Sequence, residues 1–86
     1  MKKKIWYVYI LRTRAKTLYT GIALDVKKRL KQHAENRGSR YLRGRTPLKL
    51  VYLEKCKSQS SALKRELSIK NLSRSQKIRL IKESGL

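Results

Sequence analysis

Ile5-Trp6-Tyr7-Val8-Tyr9-Ile10-Leu11 is the stretch on which the fold turns. β-Branched and aromatic residues favour a pleated backbone, and successive side chains of a strand face opposite ways. Tyr7, Tyr9 and Leu11 therefore share one face, and Trp6, Val8 and Ile10 the other. A strand that is apolar on both faces belongs in the middle of its sheet, because an edge exposes one row of backbone to water. Partners lie downstream. After the polar connection Arg12 to Lys16, residues 17–22 are short and mixed, as expected of a strand that pairs back in a hairpin. Residues 48–53, just past Pro47, read as a third strand.

Helices fill the remainder. Asp25 is placed to cap a helix running to about Asn36, with Val26, Leu30 and Ala34 as its buried stripe and Gly38 as its terminator. Ser58 caps a second helix reaching about Leu72, and Ser73-Arg74-Ser75-Gln76 is a capping box that opens a third through Lys82. The order is β-β-α-β-α-α, and hairpin strands with segregated helices place the chain in the α+β class. With 86 residues, positions 1–86 are expected to form one domain, since chains divide into separate cores only at roughly 200 residues or more.

Lys and Arg number 24 against 5 acids, a net charge of +19 and a pI near 10.8. Such charge repels itself in the compact state and suits a polyanionic partner, with nucleic acid foremost. The basic residues are spread along the chain without a lysine-flanked amphipathic anchor, which argues against a membrane partner. Cys56 stands alone, excluding an internal disulfide, and with His33 falls short of the four ligands of a structural zinc site. Residues 2–11 copy the charged and apolar regions of a signal peptide, but the seven apolar residues fall short of the about 20 needed to span a bilayer. Arg12, Arg14 and Lys16 follow in place of a small-residue cleavage site, so a cytoplasmic chain is expected.

The acids are Asp25, Glu35, Glu54, Glu66 and Glu83. Asp25 caps, Glu35 and Glu83 lie near helix ends, and Glu54 closes a strand beside Lys55. Glu66 falls four residues after Ala62 and three before Ile69, on or next to the apolar stripe of its helix. A carboxylate there either pairs with a nearby cation or holds Mg²⁺, which takes one or two carboxylates and shares substrate phosphate oxygens. Arg29 and His33, spaced i, i+4, share one helix flank, where each is a phosphate-competent group or an ordinary surface side chain. Tyr9 and Tyr19 fall on the two hairpin strands, where pairing can set them side by side or sheet packing alone can explain them. Gly21, two residues past Tyr19, removes a side chain and lets a ligand backbone approach. Residues 37–47 form a basic connector, with Tyr41 among Arg37, Arg40, Arg43 and Arg45.

Tyr7-Val8-Tyr9, then Tyr19-Thr20-Gly21, then Arg29, His33 and Glu66, in that order and over essentially the entire chain, resemble the GIY-YIG nuclease domain in its small stand-alone bacterial form. The resemblance implies a small three-stranded antiparallel sheet packed with helices, and hydrolysis of phosphodiester bonds with one divalent ion, Mg²⁺ or Mn²⁺. It makes Tyr9 and Tyr19 the motif tyrosines, Arg29 the phosphate clamp and Glu66 the metal ligand, with His33 at a position where some members carry a functional histidine. Tyr7 replaces the motif glycine, Val8 and Thr20 replace isoleucines, a lysine that some members carry is Ile22, and a late asparagine has no clear counterpart. The general base stays open among Tyr9, Tyr19 and His33. The connector, with Tyr41 for stacking, is the candidate for holding the strand beyond the cleavage point, and Lys2 to Lys4 add sequence-independent attraction. DNA is favoured over RNA as substrate, and a monomer or weak homodimer fits the small size and free sheet edge. The competing expectation is a non-catalytic basic module riding on RNA or a ribosome.

Overall fold

A computed structural model describes residues 4–35, 42 and 44–85. Its elements are β1 (Trp6–Arg12), β2 (Leu18–Ala23), α1 (Val26–Ala34), β3 (Lys49–Cys56), α2 (Gln59–Lys70) and α3 (Arg74–Ser84). The sheet order is β2-β1-β3, antiparallel throughout, so the strand that is apolar on both faces is the central one.

Alternation along β1 divides the core. Val8 and Ile10 point to one face and pack with Val51, Tyr52, Ala62 and Ile69, with Trp6, Leu18, Ile22, Leu80 and Ile81 around them, so that α2 and α3 cover this side. Tyr9 and Leu11 point to the other, against Ala23 and Leu42, bordered by Val26 and Leu30 of α1. Burying such side chains contributes about 1.5–3 kcal/mol each, enough to fix the register, because a one-residue slip would exchange the two faces.

The caps explain the helix starts. Asp25 accepts from the Lys28 amide at 3.0 Å. Ser58 and Ser61 exchange hydrogen bonds at the start of α2, as Ser73 and Gln76 do at the start of α3. Several boundaries differ from expectation, among them α2 ending at Lys70, short of Leu72, and α3 running to Ser84, past Lys82. β2 begins at Leu18 because the Thr17 hydroxyl is engaged with that of Thr13 in the preceding turn, at 2.6 Å. β3 runs on to Cys56 because β1 offers pairing partners as far as Trp6. α1 ends at Ala34, where the Glu35 amide closes the last turn on Lys31 O; Asn36 and Gly38 lie outside the described residues.

Glu54 does more than end a strand. Tyr52 Oη donates to Glu54 Oε1, and Arg65 Nε donates to the same oxygen at 3.0 Å, fastening α2 to β3. Burial and the Glu54 carboxylate push the Tyr52 phenol above its ordinary pKa. No helix among the described residues is long and apolar enough to cross a membrane.

Candidate active site

β2 is an edge strand, and side chains from both faces of the sheet meet beside it. Tyr19 and Gly21 point to the α1 side, and Ile22 to the α2 side, as alternation requires. α1 contributes Arg29 and His33, one turn apart. α2 buries Ala62 and Ile69 against the sheet, and Glu66, between them on the same helical face, emerges at the edge with 18% of its side chain exposed. Tyr9, Tyr19, Gly21, Ile22, Arg29, His33 and Glu66 line one open cleft of about 320 Å³. Six positions singled out in the sequence are thus brought together: Tyr9, Tyr19, Gly21, Arg29, His33 and Glu66.

Other positions fall elsewhere. Arg45 lies outside the cleft, its carbonyl accepting from the Arg14 amide at 3.1 Å beside the β1–β2 turn. Arg37, Arg40, Tyr41, Arg43, Lys2 and Lys3 lie outside the described residues, while Lys4 is exposed. Ala34 is exposed, not part of the buried stripe of α1; His33 is buried in its stead, because a phenol waits for it on β1. That contact is Tyr9 Oη to His33 Nε2 at 3.1 Å.

The two tyrosines are diagonal neighbours, not directly opposed: Tyr9 faces Gly21 across the ladder, and Tyr19 faces Leu11. Their ring centroids are 6.5 Å apart, and Tyr19 meets the His33 ring edge-on at 5.7 Å. Space above Gly21 is taken by the protein's own phenol, since a Cβ there would fall 2.6 Å from Tyr9 Oη. The glycine therefore admits Tyr9 in the first place, where a ligand backbone was expected.

Electrostatics follow from this packing. Burial, and next the neighbouring Tyr19 phenol, push the Tyr9 pKa well above 10, and Arg29 offsets only part of the rise. Burial and the Arg29 charge push the His33 pKa below its usual value. At neutral pH the pair is an un-ionised phenol hydrogen-bonded to an un-ionised imidazole.

A stability prediction follows. The unfolded chain binds a proton on His33 near pH 6.5, the folded chain only at lower pH, so between those values the unfolded state holds more protons. Stability is expected to be full above about pH 7 and to fall as pH drops through that window. The chain has 1 histidine, so thermal unfolding from neutral to mildly acid pH assigns the slope, and His33→Gln should flatten it.

Metal-binding capacity is narrow. Among the described residues Glu66 is the single carboxylate lining the cleft, and no group of three or more His, Cys, Asp or Glu side chains stands ready for a metal. Zinc, which wants four tight protein ligands, does not fit; Mg²⁺ or Mn²⁺, completed by waters and substrate phosphate oxygens, does. Lys70, which the sequence did not single out, reaches Glu66 Oε2 at 3.6 Å from the half-exposed outer face of α2. That contact is loose enough to yield to a stronger cation.

The family model for the GIY-YIG catalytic domain matches residues 5–79. A UPF0213 protein of Syntrophus aciditrophicus is 48% identical over 79 residues, covering 91% of each chain. Among solved structures, the solution NMR structure of a UPF0213 protein from Bacillus halodurans is 40% identical, with a TM-score of 0.63 over 94% of this chain and 86% of that one. Another NMR structure, of a protein from E. faecalis, superposes with a TM-score of 0.66 at 31% identity, over 95% and 88% of the two chains.

Proposed function

The chain belongs to the GIY-YIG catalytic domain family, a nuclease fold, and from that premise we propose that it is a divalent-metal-dependent endonuclease that hydrolyses phosphodiester bonds, preferably in DNA. The reading rests on one observation: two phenols, an imidazole, a guanidinium and a solitary carboxylate converge on an open cleft in a chain of net charge +19.

Glu66 would hold the Mg²⁺ or Mn²⁺, which when bound supplies positive charge to the phosphate and the leaving oxygen. Everything else is done by the chain. Arg29, exposed on α1, neutralises a non-bridging phosphate oxygen and seats the scissile group in the cleft. Before a metal binds, burial keeps the Tyr9 phenol protonated at neutral pH. It works with His33: a water entering the cleft gives a proton to Tyr9 Oη while the phenol's own proton passes to His33 Nε2, 3.1 Å away. The water oxygen forms its bond to phosphorus as the bond to the leaving oxygen opposite breaks, and solvent returns a proton to that oxygen. Tyr19 walls the cleft and keeps the imidazole edge in place.

Incubation with branched, nicked, single-stranded and duplex DNA, and with RNA, tests this. Cleavage is expected with Mg²⁺ or Mn²⁺, abolished by chelation and about a hundred-fold slower for Arg29→Ala, the usual loss for one group that stabilises transition-state charge. The non-catalytic reading draws support from Ile22, an apolar side chain in the cleft where some family members place a lysine. Salt-sensitive binding with no cleavage of any substrate would decide for it.

A further inference from the structure

Outside the cleft, a strongly basic surface surrounds the turn between β1 and β2. The Thr13 amide donates to Thr17 O at 3.0 Å and the Lys16 amide to Thr13 O at 2.8 Å, and the two threonine hydroxyls lie 2.6 Å apart. Arg74, at the start of α3, donates from Nη2 to Lys16 O at 2.8 Å and ties that helix to the turn. Two recesses flank it and share Arg12 and Lys16. One adds Arg14 and Lys49; the other adds Arg74 and Lys82. Among the described residues no carboxylate lines either.

Lys16 carries the argument further. Its φ of 65° is left-handed, the only such value at a non-glycine position among the described residues. Glycine adopts that region freely, whereas a side chain with a Cβ is disfavoured there. A lysine is thus held where glycine would fold more easily, in a turn already fastened by four hydrogen bonds. Backbone strain of this kind clusters at functional sites, and here the side chain is the sixth cation on a surface that holds no acid among the described residues.

We propose that the β1–β2 turn is a second contact surface for nucleic acid, at which Arg12, Arg14, Lys16 and Lys49 hold the phosphodiester backbone of a substrate arm leaving the cleft. Lys16 precedes Tyr19 by three residues, so the turn lies about 10 Å along the strand from the cleft wall. That is about three base-pair steps. Among the described residues no aromatic side chain lines either recess, so the proposed contact is one to backbone charge and not to bases. The polymer's identity rests on the function proposed above, but the contact itself does not require turnover.

Binding of a fluorescent DNA duplex and a branched DNA junction is therefore measured in chelator, over a range of salt. The triple variant Arg14→Gln, Lys16→Gly, Lys49→Gln is expected to bind at least about tenfold more weakly, with a salt slope lower by two to three, because each lost phosphate contact removes about 0.9. The control triple Lys55→Gln, Lys57→Gln, Lys64→Gln removes the same charge from the exposed β3 and α2 side and should change the slope by less than about one. Lys16→Gly alone should raise the melting temperature while weakening binding, which separates use from folding. Equal losses in the two triples, or wild-type affinity in Lys16→Gly, overturn the proposal and leave the cleft assignment standing. No binding of either DNA by the wild type overturns both. Phosphatidylglycerol vesicles complete the set: if the turn triple loses vesicle binding but keeps DNA binding, the surface belongs to anionic membranes and the proposal fails.

Discussion

Glu66→Ala is expected to slow metal-dependent cleavage about a thousand-fold, with binding of uncleaved nucleic acid unchanged or slightly tighter. The sign of the second effect follows from charge, since the variant adds one to a net charge of +19. Its structural cost is small. Among the described residues the carboxylate pairs only with Lys70, at 3.6 Å on a lysine 51% exposed, and an i, i+4 pair of that kind is worth only about 0.3–0.5 kcal/mol.

Lys70→Met separates the two roles. It removes the ion pair and leaves the carboxylate in the cleft, so cleavage should stay within about threefold of wild type. Single-turnover rates with excess protein, taken over a range of Mg²⁺ and Mn²⁺, provide the measurement. If Glu66 served only as the partner of Lys70, both variants would behave alike. Wild-type cleavage by Glu66→Ala would remove the carboxylate from the reaction altogether.

How far the sequence disclosed this arrangement depends on the range of the contacts involved. Element order and type were legible because each rests on local signals: two-sided apolarity in Trp6 to Leu11, and serine or aspartate caps at Asp25, Ser58 and Ser73. Glu66 was legible because the 62, 66, 69 spacing places it on the inner helical face whatever lies opposite. The stripe of α1 was not. Positions i+7 and i+8 lie on adjacent flanks of a helix, and periodicity favoured the apolar Ala34; burial of His33 is decided by a phenol 24 residues away. The same limit hid Tyr52, Glu54 and Arg65, whose shared contact joins positions 11 apart across two elements. Lys16 gave no sequence signal either, because a turn's handedness shows in sequence when glycine or asparagine marks it, and lysine does not.

The role of Gly21 also depended on register, and it yields the second large effect. Gly21→Ala is expected to destabilise the fold by about 1–3 kcal/mol and to slow cleavage about a hundred-fold. Conformation is not the cause, because Gly21 is absent from the positive-φ positions and alanine suits an extended backbone. The cause is steric: the added Cβ would lie 2.6 Å from Tyr9 Oη, 2.7 Å from its Cζ and 3.3 Å from Tyr19 Cε1. Tyr9 has little room to yield, being 1% exposed on the central strand, so either the ring tilts away from His33 or β2 separates from β1. Both movements lengthen the 3.1 Å contact through which the proton is proposed to pass. A double-mutant cycle checks the assignment. Tyr9→Phe deletes the hydroxyl outright, so adding Gly21→Ala to it should cost less than about tenfold in rate although stability falls further, as the Cζ clash remains. Rate losses that multiply would mean that the glycine acts through some group other than the Tyr9 phenol. A Gly21→Ala protein with wild-type rate and melting temperature would mean that this phenol does not lie against β2 at all.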